Sequence, residues 1–256
     1  MLSKGKIYFL SDFHLGIPNE KASKEREMKI VEWLDSILPD VEELFILGDV
    51  FDFWFEYKTV VPRGYVRILG KLAEIADAGI PIHYFTGNHD MWTFDYLTKE
   101  IGVKLYREPI TREIGGKKFY IGHGDGLGPG DQGYKFIKKV FANKICQWLF
   151  ARLHPNFGIG LANYWSRRSR GATGIEEKYL GDDKEWLYIY CKDMLKKEHF
   201  DYFVFGHRHL PINKNLGQGS TYINLGDWIS FYTYAVFDGE KLELNSLKEN
   251  TEIVTV

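Results

Sequence analysis

Cysteine and long apolar runs are both scarce in this chain. Only Cys146 and Cys191 occur among 256 residues, and they form no C-x-x-C pair, which argues against a disulfide framework and indicates a reducing compartment. No apolar run approaches the roughly 18 to 20 residues that a membrane-spanning helix needs. Lys4 and Lys6 lead directly into a strand-like run at 7–10, so we expect no removable signal peptide. These absences predict a soluble, cytoplasmic protein, and a position on a membrane surface stays open.

A strong overall charge is missing as well. The formal net charge of −2 gives no general attraction to nucleic acid or to an anionic membrane. One segment departs from this balance, because 132–175 contains no Asp or Glu but several Lys and Arg among many Phe, Trp and Leu. We predict that 131–180 forms an inserted helical lid, here called the cap.

Three interpretations of the cap stay open at this point. It could be an ordinary helical subdomain with a solvated basic face. It could bind nucleic acid, with aromatic side chains stacking on bases and cations following the phosphates. It could also cover an anionic, acylated substrate at a membrane surface, where cations meet phosphate head groups and apolar side chains meet acyl chains. The high apolar content of the segment favours the lipid interpretation.

Short apolar runs separated by helical periodicity set the fold class. With 256 residues and 45% hydrophobic side chains, the chain can bury a substantial core. Runs rich in β-branched and aromatic residues predict buried strands at 7–10, 44–47, 82–85, 119–121 and 202–205. Helical spacing predicts helices over 24–38 and 65–78, and the alternating tail at 222–247 predicts a β-meander or hairpin. We therefore predict one α/β domain over 1–256.

Five short polar motifs carry the chemical signal. Each places Asp, His or Asn beside or near Gly or at a strand end: Asp12-Phe13-His14, Gly48-Asp49, Gly87-Asn88-His89-Asp90, Gly122-His123 and Gly206-His207-Arg208-His209. One such motif alone is ordinary turn chemistry. Turns do not explain five of them in this order, most following a predicted strand.

Strand geometry predicts that these side chains converge. Residues two apart in a strand point to the same side, so Asp12 and His14 can face one metal if the backbone stays extended past Leu10. His207 and His209 can do likewise. Open α/β sheets bind ligands at the carboxyl ends of their strands, so the five loops should meet in one crevice. Carboxylate, imidazole and amide oxygen suit Mn²⁺, Zn²⁺ or Fe²⁺. Seven candidate ligands exceed one ion, whereas two ions about 3.5–4 Å apart can share a carboxylate.

The five motifs resemble those of the calcineurin-like metallophosphoesterase superfamily, and the resemblance extends from Asp12 to His209. It implies a four-layer α/β/β/α sandwich of two mixed sheets, with the cap inserted. It also implies two metal sites that share Asp49. The first site would contain Asp12, His14, Asp49 and His209, and the second would contain Asp49, Asn88, His123 and His207.

The same resemblance implies catalytic roles for His89 and Asp90. His89 would contact a phosphate oxygen or protonate the leaving group, and Asp90 would orient it by accepting its other ring proton. The remaining histidines carry no such implication. His83 is most simply a strand residue, and His154 and His199 are surface or cap positions.

A narrower resemblance is to the UDP-2,3-diacylglucosamine pyrophosphohydrolase family of lipid A biosynthesis. It rests on the strings S-D-F-H-L-G, G-D-V-F-D-F-W and H-G-D-G followed by Asp131, and on the cap. That family uses manganese, lies peripherally on the cytoplasmic face of the inner membrane, and forms UMP and an acylated sugar 1-phosphate. Its proteobacterial members carry Arg where this chain has His89, the residue of the broader superfamily. The implied substrate-binding residues are Asn88, His89, Asp131, Arg167, Arg168, Ser169 and Arg170.

We therefore predict a hydrolase of the pyrophosphate bond in UDP-2,3-diacylglucosamine that uses two divalent ions, Mn²⁺ foremost. Two cations would clamp the phosphoryl oxygens and lower the pKa of a bridging water toward neutrality. The expected partners are the acylated nucleotide sugar and the membrane surface, without nucleic acid or an obligate protein partner. The alternatives are a phosphodiesterase or phosphatase acting on a soluble nucleotide, nucleic acid or phosphoprotein, and a non-catalytic metal-binding scaffold.

Overall fold

Two mixed β-sheets packed face to face form the centre of the molecule. The computed structural model describes residues 5–130, 132–173 and 178–255, with the backbone alone at 163 and 167–173. Its strands are β1 (Lys6–Leu10), β2 (Val41–Ile46), β3 (Ile82–Phe85), β4 (Lys104–Tyr106), β5 (Ile110–Ile114), β6 (Lys117–Ile121), β7 (Tyr202–Phe205), β8 (Pro211–Gly217), β9 (Ser220–Leu225), β10 (Thr233–Phe237) and β11 (Leu242–Ser246). The strand order is β11-β10-β1-β2-β3-β4 in the first sheet and β5-β6-β7-β9-β8 in the second.

Alternation along the strands divides the core into layers. In β1, Ile7 and Phe9 face the second sheet, whereas Tyr8 and Leu10 face the helices on the other side. The ring of Phe9 lies 6.1 Å from that of Phe119 in the second sheet, and burying one such ring stabilises the fold by about 1.5–3 kcal/mol. Helices cover the outer faces of the sheets: α1 (Glu20–Ile37) and α2 (Val66–Asp77) on the first, and α6 (Trp186–Leu195) on the second.

The cap consists of three helices that lie over one end of this sandwich. They are α3 (Gln132–Ala142), α4 (Lys144–Phe150) and α5 (Pro155–Thr173). Asn143 caps α4, because its side-chain oxygen accepts the N–H of Ile145 at 2.9 Å. The cap meets the body through aromatic contacts around Trp92. The Trp92 indole donates to the carbonyl of Phe141 at 2.8 Å, and the Phe150 ring lies 4.8 Å from the Trp92 ring.

The predicted elements agree with the structure within four residues, but β4, β5, β8 and α6 were not predicted, and the tail is arranged differently. β9 pairs with β7 and β8 in the second sheet, whereas β10 and β11 form a hairpin in the first sheet. The predicted hairpin is therefore correct for β10 and β11, but β9 is not part of one continuous meander. Asp227 turns the chain between the sheets by accepting the N–H groups of residues 229–231. Within the described ranges, no helix is long and apolar enough to cross a membrane.

Candidate active site

The five polar motifs lie at the carboxyl ends of strands from both sheets. Asp12 and His14 follow β1, Asp49 follows β2, and Asn88 and His89 follow β3 in the first sheet. In the second sheet, the corresponding residues follow neighbouring parallel strands: His123 after β6, and His207 with His209 after β7. The packing of the two sheets brings these ends to one crevice, as the sequence predicted.

The side chains of most predicted ligands are oriented by left-handed backbone and not by extended strand. Five of the predicted ligands have positive φ: Asp12 at 57°, His14 at 43°, Asp49 at 53°, His207 at 65° and His209 at 56°. The expectation of an extended backbone beyond β1 is therefore wrong, although the side chains of the first pair still converge. For the second pair the strand argument fails altogether, because the two side chains point to different groups of ligands. Such conformations cost of order 1–3 kcal/mol each and persist where the surrounding structure holds them.

One group of ligand atoms comes from Asp12, His14, Asp49 and His209, which lie within 4.8 Å of one another. The Nε2 atoms of His14 and His209 are 3.1 Å apart, and Asp12 Oδ1 lies 3.3 Å from His209 Nε2. All but His209 are fully buried. These are the four residues that the superfamily resemblance implied for the first metal.

The second group contains Asp49, His123 and His207, again within 4.8 Å of one another. Asn88 belongs to the same place, because its Oδ1 lies 3.3 Å from His123 Nε2. One oxygen connects the two groups: Asp49 Oδ2 lies 3.6 Å from His14 Nε2 and 3.3 Å from His123 Nε2. Asp49 is thus placed to share its carboxylate between two ions.

Each of the two central carboxylates uses one oxygen for the loops and leaves the other for a ligand. Asp12 Oδ2 accepts the N–H of His207 at 2.9 Å, and Asp49 Oδ1 accepts the N–H of His89 at 2.8 Å. Asp12 Oδ1 and Asp49 Oδ2 are buried, with no hydrogen-bond donor among the residues that the structure describes. Buried, unpartnered carboxylate oxygens are costly unless a cation satisfies them. The donor set therefore fits divalent metal.

Two motif glycines make this close approach possible. A Cβ at Gly87 would clash with the Asp49 carboxylate, and one at Gly206 would clash with the Asp12 carboxylate. The glycines in these motifs are thus required by the space around the ligands.

The electrostatics of the cluster separate its histidines. Burial opposes protonation of His123, but the Asp49 carboxylate raises its pKa to about 10, and the same competition with Asp12 and Asp52 raises the pKa of His14 to about 9. Burial lowers the pKa of His207 to about 4, with a further contribution from the charge of His123. His207 is neutral near pH 7 and can donate a lone pair directly, whereas His14 and His123 must first lose a proton.

Asp90 does not contact the ring of His89 in the way that was expected. Its Oδ1 accepts the N–H of Gly87 at 2.7 Å, and its Oδ2 accepts Val50 N–H at 3.0 Å and the Tyr84 hydroxyl at 2.6 Å. The prediction that it accepts the second ring proton of His89 is therefore wrong. Its buried carboxylate instead joins the loop after β2 to the loop after β3. Burial, together with the charge of Asp49, raises the pKa of Asp90 to about 6.

Asp52 takes the place that had been assigned to Asp90. The Nδ1 atom of His89 lies 2.9 Å from the carbonyl oxygen of Asp52 and 3.7 Å from its Oδ1. Asp52 Oδ1 is also 3.5 Å from His14 Nδ1, and Asp52 Oδ2 accepts the hydroxyl of Ser166 in the cap at 3.1 Å. Asp227 stands similarly behind His209, with its Oδ2 3.4 Å from Nδ1. Sequence reasoning missed both carboxylates; the available signals were the position of Asp52 in G-D-V-F-D and that of Asp227 after Gly226 at a strand end.

A cavity of about 340 Å³ opens between this cluster and the cap. Its polar end is formed by Asp52, Asn88 and His89. Its walls are largely aromatic and include Phe53, Trp92, Phe141, Phe150 and Trp165. The cavity therefore joins a charged reaction centre to an apolar chamber.

Several predicted substrate-binding residues cannot be placed against this cavity. Asp131 lies outside the described residues. The backbone of Arg167, Arg168, Ser169 and Arg170 belongs to α5, and their side chains lie outside what the structure describes. Among the described side chains of the cap, Ser166 lines the cavity and donates its hydroxyl to Asp52 at the polar end.

The chain belongs to the calcineurin-like phosphoesterase family, whose model matches residues 5–211. It is also similar to proteins named UDP-2,3-diacylglucosamine hydrolase. The protein of that name from Porphyromonas gingivalis is 38% identical, over 96% of this chain and 99% of the relative. The one from Shewanella putrefaciens is 25% identical, over 94% of this chain and 97% of the relative. The one from Aeromonas hydrophila is 25% identical, over 86% of this chain and 89% of the relative.

Membership in this family confirms the predicted fold class and the predicted class of enzyme. The two mixed sheets with helices on their outer faces are the predicted four-layer α/β/β/α sandwich. The relatives are hydrolases, and calcineurin-like phosphoesterases use divalent metals, in agreement with the two groups of ligands.

Proposed function

We propose that this protein hydrolyses the pyrophosphate bond of UDP-2,3-diacylglucosamine, forming UMP and 2,3-diacylglucosamine 1-phosphate. The cavity carries this proposal, because its charged end lies at the ligand cluster and its apolar walls lie under the cap. A substrate with a pyrophosphate next to acyl chains has the same division of polarity. The relatives' names point to the same substrate.

Two divalent ions, Mn²⁺ foremost, belong to this proposal. The first would be held by Asp12, His14, Asp49 and His209, and the second by Asp49, Asn88, His123 and His207. When bound, such a pair polarises the phosphoryl oxygens and supplies a hydroxide nucleophile near neutral pH.

His89 is the residue that we assign to the departing phosphate. It belongs to neither of the two groups assigned to the metals, although it forms a further group of candidate ligand atoms with His14 and Asp52. It lines the cavity, and its ring centroid is 4.8 Å from that of His14. Its Nδ1–H donates to the carbonyl of Asp52, which fixes the orientation of the ring beside the ligand cluster. From that position it can hold a phosphate oxygen or deliver a proton to it.

Acyl chains would lie against the aromatic wall under the cap. The Trp92 indole is fixed by its bond to Phe141, so this part of the wall is rigid before substrate arrives. Asp131, Arg167, Arg168, Ser169 and Arg170 remain our candidates for holding the sugar and its phosphate.

The outer face of the cap suits a membrane surface. Large apolar side chains are exposed there, among them Phe136, Ile145, Trp148, Leu149 and Phe157. Lys135, Lys139 and Lys144 belong to the same helices, and Arg152, just after α4, lies 4.7 Å from the ring centroid of Trp148. Apolar side chains with cations beside them bind anionic lipid interfaces. We propose a cytoplasmic protein that is peripheral on the inner membrane.

The test is Mn²⁺-dependent release of UMP from UDP-2,3-diacylglucosamine, measured beside the deacylated UDP-sugar and a generic aryl phosphodiester. We expect strong preference for the acylated substrate. Equal or better turnover of the small substrates would keep the two-metal hydrolase and remove the lipid assignment. Absence of metal-dependent turnover on all three would favour the non-catalytic scaffold. Sedimentation with anionic vesicles tests the membrane contact separately. It compares the wild type with a variant in which the lysines and arginines of the cap are neutralised.

A further inference from the structure

Both ends of the cap are attached to the loops that carry His123 and His207. The chain enters the cap after the loop at 122–126 and leaves it through 178–185, here called the return segment. His123 and His207 stand next to each other, with ring centroids 5.1 Å apart. The contacts that hold the two ends of the cap therefore reach the same group of ligands.

The first attachment is made by Asp125, two residues after His123. Its Oδ2 accepts the hydroxyl of Tyr134 at 2.6 Å and lies 2.7 Å from Lys138 Nζ, and both partners belong to α3. Lys138 also donates to the backbone carbonyl of Asp125 at 3.1 Å. Asp125 is itself buried. The carboxylate thus joins the first cap helix to the loop of His123.

The second attachment is made by Arg208, which stands between His207 and His209. Its Nε and Nη2 donate to the two oxygens of Glu185, each at 3.1 Å. Nη2 also donates to the carbonyl of Lys178 at 2.7 Å, while Glu185 Oε1 accepts the N–H of Leu180 at 3.0 Å. One ion pair therefore holds both sides of the return segment.

The geometry of this ion pair makes it a rigid connection. The side chains of Arg208 and Glu185 are only 4% and 1% exposed, and the guanidinium is bound in a bidentate arrangement that fixes its direction. The residues on either side of Arg208 have left-handed backbone, so the loop has little freedom to absorb a shift of the guanidinium. A displacement of the return segment would consequently move His207.

We propose that Asp125 and Arg208 are positioning residues that couple the cap to the second group of ligands. Metal bound at His123 and His207 would order both ends of the cap, and a seated cap would raise the affinity of that site for metal. The two effects are equal in free energy, because coupling between sites is reciprocal. The inference rests on the metal binding in the proposed function, but it needs no particular substrate.

Hydrogen–deuterium exchange of the full chain, with and without Mn²⁺ alone, tests the coupling. In the wild type we expect Mn²⁺ to slow exchange at 132–142 and at 178–185. In Glu185→Gln, which keeps the shape of the side chain and removes its charge, this effect should fall at 178–185. Titration with Mn²⁺, followed by electron paramagnetic resonance, should show affinity at one of two sites lowered by about 5-fold or more.

Asp182→Asn is the matched control. Asp182 belongs to the same return segment, but it pairs with Lys214 in β8 and not with a ligand loop. Because the pair of Arg208 and Glu185 is intact in this variant, we expect unchanged Mn²⁺ affinity and an unchanged slowing of exchange by Mn²⁺ at 178–185. If both variants weaken Mn²⁺ binding equally, or if Glu185→Gln changes neither exchange nor affinity, the coupling is refuted. Failure of the wild type to bind Mn²⁺ would instead refute the proposed metal sites.

Lys138→Met provides a second variant at the other end of the cap. Lys138 is 31% exposed on its side chain, and after its removal the buried Asp125 carboxylate still accepts the hydroxyl of Tyr134. We expect a smaller loss of Mn²⁺ affinity and a loss of the Mn²⁺ effect on exchange at 132–142. This measurement decides the proposal if Glu185→Gln does not fold.

Discussion

The ligand cluster and the aromatic wall of the cavity lie side by side and are built in opposite ways. In the cluster, buried carboxylates and imidazoles are held by specific hydrogen bonds in strained backbone. In the wall, Phe53, Trp92 and Trp165 present broad apolar surfaces. The first arrangement depends on direction and distance, whereas the second depends on area and shape. Substitutions in the two regions should therefore impair catalysis and substrate selectivity independently.

The largest expected effect comes from substituting Asp49, the carboxylate that both groups of ligands share. Asp49→Asn removes the charge that both groups of ligands share, so we expect turnover to fall on the order of 10³-fold or more for acylated and small substrates alike. Steady-state kinetics on both substrates, with metal content measured in parallel, checks this. Asp95→Asn, at an exposed carboxylate paired with Lys99, is the control. An Asp49 variant that lost turnover of the acylated substrate alone would contradict the division of roles between the ligand cluster and the aromatic wall.

The sequence predicted which residues come together in the cluster better than it predicted the backbone geometry that orients them. The order of the five motifs, most of them after a predicted strand, predicted that these seven side chains meet in one crevice. The spacing of Asp12 and His14 did not reveal the left-handed backbone, because positive φ at Asp or His depends on the tertiary bonds that hold the loop. These bonds include that from the N–H of Asp12 to the carbonyl of Gly48, which joins segments distant in sequence.

The orientation of His89 shows where adjacency in sequence misleads. Asp90 is its neighbour in the chain but turns into the core to satisfy Gly87, Val50 and Tyr84. Asp52, from another loop, lies against the ring instead. The attachments of the cap were also beyond sequence reasoning, because Arg208 and Glu185 are 23 residues apart and their contact depends on the tertiary fold.

The second prediction separates His89 from the ligands beside it. His89→Ala should lower kcat by about 10²-fold or more, the usual contribution of a positioned acid or hydrogen-bond donor, while bound metal stays unchanged. The reason is that its ring lies outside both groups of ligands implied for the metals. Kinetics at saturating Mn²⁺ and elemental analysis of the purified variant measure the two quantities. Full activity of this variant would remove the role that we assign to His89.

The third prediction concerns the pH dependence of metal binding. This dependence is a property of the ligand cluster and not of the apolar wall. The pKa values of His14 and His123 are raised to about 9 and about 10, so both are protonated at pH 7 before metal binds. Protons then compete with metal, and affinity should rise with pH up to about 9 at the first site and about 10 at the second, by as much as about tenfold per unit at each. Mn²⁺ titrations from pH 6.5 to 8.5 test this sign. Affinity that fell or stayed level over this range would contradict it.

The smallest expected effect comes from a substitution in the aromatic wall of the cavity. Trp165 lines the cavity and is about half exposed, so Trp165→Ala removes part of an apolar surface without opening the core. Losing about 50 Å² of contact with an acyl chain would cost about 1.3 kcal/mol, which is roughly a tenfold rise in KM for the acylated substrate. Turnover of the deacylated UDP-sugar should not change, because no ligand or hydrogen bond of the cluster involves this ring. Tyr164→Ala is the matched control, since Tyr164 is its neighbour on α5, is similarly exposed, and does not line the cavity. Equal effects of the two substitutions would mean that the wall does not recognise acyl chains, and the choice of substrate would then have to lie in the cluster itself.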